Sequence, residues 1–118
     1  ALHDALPICS KGWRILKWYH KLYLSDSASK HARRTIYKLK HGKFAPGYYL
    51  ITLSDHPDHL LEIIGTAYLV QRPLWELCPM VVGIARYKEE ALELTQRILL
   101  ETYEHRGDFQ VKEYLQDR

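Results

Sequence analysis

MVVGIARYKEEALELTQRILLETYEHRG, residues 80–107, is the stretch on which the fold turns. Residues 80–85 are continuously apolar and rich in β-branched side chains, as suits a strand buried on both faces. The run from Lys88 to Arg106 has helical periodicity, with Ala91, Leu92, Thr95, Ile98, Leu99, Thr102 and Tyr103 as the expected inner stripe. Glu89 and Glu90 suit the positive end of the helix dipole, His105 and Arg106 suit the negative end, and Gly107 supplies the stop. Glu93 is placed to pair with Arg97 one turn on.

Downstream, FQVKEYL at 109–115 alternates, with Phe109, Val111 and Leu115 on one side, and is expected to be a strand. Strand, helix and strand over 80–115 then predict a right-handed parallel crossover. Upstream, YYLITLS at 48–54 is apolar on both sides and predicts a central strand. In DHPDHLLEIIG, Asp55 and Asp58 resemble caps and Pro57 suits a first turn, so a short helix is expected over 57–64. TAYLVQ at 66–71 is expected to be a strand.

The order from residue 48 is thus β-α-β-β-α-β, which predicts a four-stranded ferredoxin-like sheet with 48–54 parallel to 80–85 at its centre. The alternative is a three-stranded sheet ending in a β-α-β unit. Before it, WRILKWYHKLYL at 13–24 reads as an amphipathic helix with Ile15, Tyr19 and Leu22 on one face. SDS at 25–27 offers caps for a second helix to about residue 41, buried through Ala28, Ala32, Ile36 and Leu39 and stopped by Gly42. These two helices would cover the face that a ferredoxin-like sheet leaves open. If they do not, that open face could pair with a second copy.

The chain of 118 residues, 47% hydrophobic and 26% charged, fits one α+β domain with its own core. Its first residues are an exception: LHDALPI, residues 2–8, matches the translation of a common sequencing adapter, so 1–9 are expected to be non-native and 10–118 to form the domain. Within it, 10–43 is the expected basic helical hairpin and 44–118 the sheet-containing part. No apolar run reaches the roughly 20 residues of a membrane span. Two cysteines, Cys9 and Cys78, build neither a disulfide framework nor a Cys-based metal site, which fits a cytoplasmic setting. The general appearance resembles small bacterial proteins, and no functional residue is carried over from that likeness.

Charge divides the chain sharply. From Ser10 to Lys43 there are ten basic residues against Asp26 alone, a net of +9; from Phe44 to Arg118 seven basic residues stand against twelve acidic ones, a net of −5. Such a basic segment draws polyanions. Arg14, Lys17, Lys21, Lys30, Arg33, Arg34 and Lys38 are the candidate residues for an anion or nucleic acid, with Trp13, Trp18 or Tyr23 for base stacking.

A second candidate site joins Asp55, His56 and His59 to Arg86 and Lys88. Parallel central strands would end on one edge, where a helix N-terminus and two cations could hold an anion. The His and Asp residues could ligate a metal, but capping explains the acids more simply, so no metal and no cofactor are expected. Cys78, between Leu77 and Pro79, reads as an inert buried thiol. No GxSxG, HExxH, Walker loop or CxxC pair occurs, so no motif-borne enzyme class is indicated. The expectation is a small non-enzymatic interaction domain whose basic end binds an acidic protein surface or a nucleic acid. The competing expectation is a ligand-binding protein or enzyme built on the 55–59 loop.

Overall fold

The computed structural model describes residues 17–40, 46–54, 60–66 and 80–118. In chain order these form β1 (Lys17–Leu24), α1 (Asp26–Ser29), α2 (Ala32–Lys40), β2 (Tyr49–Leu53), β3 (Leu61–Gly65), β4 (Met80–Ala85), α3 (Lys88–Arg106) and α4 (Val111–Asp117). The strands make one mixed sheet in the order β1-β4-β2-β3. β4 pairs in parallel with β1 and antiparallel with β2, and β2 pairs antiparallel with β3. The fold is therefore α+β with a four-stranded sheet, but neither the ferredoxin-like order nor the three-stranded alternative is present.

β4 lies where its apolar composition places it, between two neighbours, with Val81, Val82, Ile84 and Ala85 all fully buried. Its register is broken at Val82 on both sides. Ile51 faces Gly83 and Thr52 faces Val81, leaving Val82 unmatched on β2. On β1, Trp18 faces Val81 and Tyr23 faces Gly83, so four residues of β1 span that single position. This bulge reverses the alternation of side chains. In consequence Val81 and Ile84, three residues apart, enter one core, and Val82 enters the other.

The two cores lie on opposite faces of the sheet. One packs Ala28 and Leu39, from α1 and α2, on Leu50, Ile64, Val81 and Ile84. The other packs Leu94 and Ile98 of α3, with Val111, Tyr114 and Leu115 of α4, on Tyr19, Tyr23, Ile51 and Val82. Helices thus cover both faces, which removes the open face that suggested pairing with a second copy.

Three local expectations are corrected, and a fourth lies mostly outside the described residues. The helix expected over 13–24 is the strand β1 where it is described, so the 10–43 segment contributes a strand followed by two helices. Tyr19 and Tyr23 are both buried, and a spacing of four satisfies a strand's period of 2 as well as a helix's 3.6. The ladder offered by β4 decides between them. The helix expected over 57–64 is replaced by β3, which runs back along β2 from Leu53↔Leu61 to Tyr49↔Gly65. An adjacent antiparallel partner pairs the backbone groups of this short apolar run that face β2, whereas a two-turn helix leaves most of its end groups unpaired. The expected strand over 66–71 is described only at Thr66, whose N–H donates to the Tyr48 carbonyl at 2.9 Å just beyond β3.

The last correction concerns 109–115. α4 buries Val111, Tyr114 and Leu115, the i, i+3, i+4 signature of a helix, whereas alternation would have carried Glu113 into the core with Val111 and Leu115. With no strand there, the expected parallel crossover is absent, and β2 and β4 run antiparallel.

α3 has the expected bounds and stops on Gly107, in the left-handed region at φ 77°, whose N–H donates to Tyr103 O at 2.7 Å. Its buried face is Ala91, Leu94, Ile98 and Thr102. Leu92 and Tyr103, expected inward, are 49% and 51% exposed. The helix is apolar on two sides, and periodicity does not say which side meets the sheet. Arg97 pairs with Glu101 at 3.4 Å rather than with Glu93. The helix expected from residue 25 onward is also found, divided at Lys30 and His31 into α1 and α2. Ser25 caps it, accepting from Ala28 N at 3.1 Å, and Ala28, Ala32 and Leu39 are buried as expected.

Candidate functional site

The cations singled out in the sequence fall into two groups. Lys17 and Lys21 are exposed on β1, an edge strand, where charge also discourages pairing with another chain. Lys30, Arg33 and Arg34 are exposed and Lys38 is half-buried on the α1–α2 layer. Arg14 lies outside the described residues. The orientation of α2 follows from its core side: Ala32, Thr35 and Leu39 are buried, and the Thr35 hydroxyl is satisfied by His31 O at 3.0 Å. The opposite side must then carry Arg33, Arg34 and Tyr37. The ion pairs Arg97–Glu101 and Arg106–Asp108 involve no cation of this layer.

The aromatic residues are redistributed. Trp18 packs into the core beneath α1 and α2, Tyr23 is 2% exposed, and Trp13 lies outside the described residues. Tyr37, which sequence reasoning passed over, is 54% exposed on the outward side of α2. At 100° per residue, it lies within about 20° of the line opposite the buried stripe, with Arg33 to one side and Arg34 to the other. The signal that could have found it is its place one turn after Arg33 and opposite Ala32 and Leu39.

Of the second candidate site only Arg86 and Lys88 are described. Asp55, His56 and His59 lie outside the described residues. Arg86 and Lys88 sit at the junction of β4 and α3, beside the Tyr49↔Ala85 end of the sheet. Ser54 and Leu60, which flank the loop, lie at the other end of β2, about 17 Å away at 3.4 Å per residue. Antiparallel pairing therefore removes the shared edge on which this site was argued. Arg86 is instead engaged locally. Its guanidinium donates to Gly47 O and lies 5.2 Å from the ring centroids of both Tyr48 and Tyr87. Gly47 has φ 85°, and a Cβ there would stand 2.6 Å from the Arg86 Nη1. Lys88 is exposed.

Two polar clusters were not legible in the sequence. In the first, the Tyr23 hydroxyl donates to Glu101 Oε1 at 2.8 Å and Tyr114 donates to the same oxygen at 3.3 Å. Arg118 lies 4.0 Å over the Tyr23 ring, and its Nη1 donates to Lys21 O at 3.0 Å. Burial first, then the hydrogen bond to Glu101 and its charge, push the Tyr23 hydroxyl far above the ordinary tyrosine range. With two phenols and Arg97 on one carboxylate, the cluster joins β1, α3 and α4 and leaves no activated nucleophile. An open recess lined by His105, Arg106, Tyr114, Asp117 and Arg118 adjoins it.

In the second, Ser25 and Ser27 donate to the two Glu90 carboxylate oxygens at 3.0 and 2.8 Å, tying α1 to the start of α3. Desolvation opposes ionisation of Glu90. The serine hydroxyls, with the backbone N–H groups of Arg86 and Tyr87, outweigh it and hold the carboxyl below its ordinary value. Among the described residues no group of three or more His, Cys, Asp or Glu could hold a metal ion, and no helix is long and apolar enough to cross a membrane. No protein-family model, curated protein or solved structure matches the chain.

Proposed function

We propose that the protein is a small non-enzymatic interaction domain whose α1–α2 layer binds a polyanionic partner, an acidic protein surface or a nucleic acid. The observation that carries this reading is the exposure of Lys30, Arg33 and Arg34 on the outer side of a layer whose inner side is committed to the core. Asp26 is the only acid in that layer, so the cations reinforce one another and raise the local concentration of an anionic partner. The engaged carboxylates of the two polar clusters give no comparable reason to assign catalysis.

The triple variant Arg33→Glu, Arg34→Glu, Lys38→Glu tests the reading on immobilised heparin and on RNA. The variant should elute at clearly lower salt than the wild type, because each lost phosphate contact flattens the salt dependence by about 0.7 to 0.9 in log–log slope. Equal retention of the two folded proteins, insensitive to salt, would overturn it.

A further inference from the structure

We infer that α3 pairs, antiparallel, with the α3 of a second copy of this chain, through a row of side chains that the core does not use. Glu89, Leu92, Gln96, Leu99, Tyr103 and Arg106 follow one another at spacings of three and four, the repeat that lines the seam between two packed helices. All are exposed except Leu99, which is half-buried. At 100° per residue the row is centred about 125° from the buried side formed by Ala91, Leu94, Ile98 and Thr102. Leu100, 59% exposed, widens its apolar middle on one flank, and the exposed Phe109 extends it past the helix end by stacking on Tyr103 at 5.2 Å. Four of the seven large hydrophobic side chains exposed among the described residues thus gather on this one surface. A contiguous apolar patch bounded by charge marks an interaction site.

The charges at the two ends of the row select the occupant. Two copies running in the same direction would set Glu89 against the partner's Glu89 and Arg106 against the partner's Arg106, and both contacts repel. Reversed, each Glu89 meets the partner's Arg106, each Leu92 meets the partner's Tyr103, and each Gln96 meets the partner's Leu99. The row is therefore complementary to itself about a two-fold axis, as an isologous interface requires. The two Gln96 side chains flank that axis, and an amide carries both the donor and the acceptor needed to satisfy its own copy. A lipid surface has no use for acid at one end of the row matched to base at the other. Arg106 keeps its ion pair with Asp108 at 3.0 Å, because a guanidinium has further N–H groups to offer. α3 and the α1–α2 layer lie on opposite faces of the sheet, so the pairing is independent of the polyanion reading and leaves both basic layers facing outward.

Sedimentation equilibrium of the full chain over about 10–500 µM tests the pairing, a range suited to an interface of a few hundred Å² of apolar surface on each side. The apparent mass of the wild type should rise from one chain toward two. Leu92→Glu and Leu100→Glu, both at exposed positions, should each raise the dissociation constant about tenfold or more by setting a carboxylate against apolar side chains. Glu89→Arg and Arg106→Glu should each weaken pairing about three- to thirtyfold. The chain carrying both replacements should regain it, because that exchange restores the two attractions only when the helices are antiparallel. Melting curves establish that each variant is folded. A wild type that stays a single chain at the top of the range overturns the inference, as does assembly that Leu92→Glu and Leu100→Glu leave unchanged. Failure of the double replacement to regain pairing overturns the antiparallel arrangement. A monomeric wild type that instead binds phosphatidylcholine vesicles, with binding lost in Leu92→Glu, would assign the row to a lipid surface and overturn the inference as well.

Discussion

Replacing Tyr23 with Phe removes one hydroxyl from the interface of β1, α3 and α4 and leaves the ring in place. The Tyr23 side chain is 2% exposed and its hydroxyl donates to Glu101 Oε1 at 2.8 Å. A hydrogen bond to a charged group contributes about 1.5–3 kcal/mol. The lower part of that range applies, because Tyr114 at 3.3 Å and Arg97 at 3.4 Å still partner Glu101 after the change. Tyr23→Phe should therefore cost about 1.5–2 kcal/mol at pH 7. With an unfolding entropy of about 2.1 cal/mol/K for each of 118 residues, the melting temperature should fall by about 6–8 °C.

The pH dependence of that loss is a second check on the same bond. The folded-state Tyr23 pKa is raised by burial and by Glu101, so the hydroxyl ionises near its ordinary value of 10.0 only in the unfolded chain. Its contribution is intact below about pH 10 and is lost as the pH rises further. At about 1.4 kcal/mol per pH unit, the gap between wild type and Tyr23→Phe should have narrowed by about 1.4 kcal/mol at pH 11. Urea unfolding of both proteins at pH 7, 9 and 11 measures it, and their difference cancels the other tyrosines and the lysines. A cost below about 0.5 kcal/mol at pH 7, or a gap that does not change from pH 9 to 11, would refute the reasoning.

Two further outcomes follow from close approaches elsewhere. A Cβ on Gly83 would stand 3.2 Å from Ile51 Cδ1 and from Tyr23 O and 3.3 Å from Leu94 Cδ2, so Gly83→Ala should cost about 1–3 kcal/mol in urea unfolding. Wild-type stability would show that the bulged sheet yields at no cost. Glu90 has its carboxyl pKa lowered from 4.5, so its contribution is present above that value and lost as the pH falls through the folded-state value. Thermal melts should show a shallower acid limb for Glu90→Gln than for the wild type, and parallel limbs would remove Glu90 from the acid response.

Of the candidate site, the outward placement of Arg33 and Arg34 was readable because the Ala28, Ala32 and Leu39 stripe dictates which side of the helix meets solvent. The same stripe implies the position of Tyr37. The tryptophans and Tyr23 drew the stacking role by composition, and the two of them described prove to be core. The Tyr23–Glu101 bond joins residues 78 apart, and no local pattern announces such a pairing.

By itself the sequence determined the elements whose signals are local and mutually consistent. Met80–Ala85 and Lys88–Arg106 have their expected bounds, since a continuous apolar run, acids at a helix start and glycine at its end act within a few residues. Only the tertiary structure decided the state of Lys17–Leu24, Leu61–Gly65 and Val111–Asp117, short segments whose apolar residues suit more than one period. It also decided the sense of β2 against β4. Burial on both faces demands apolar side chains whichever way the neighbour runs, so composition carries no record of direction, and the partner that satisfies the backbone settles it.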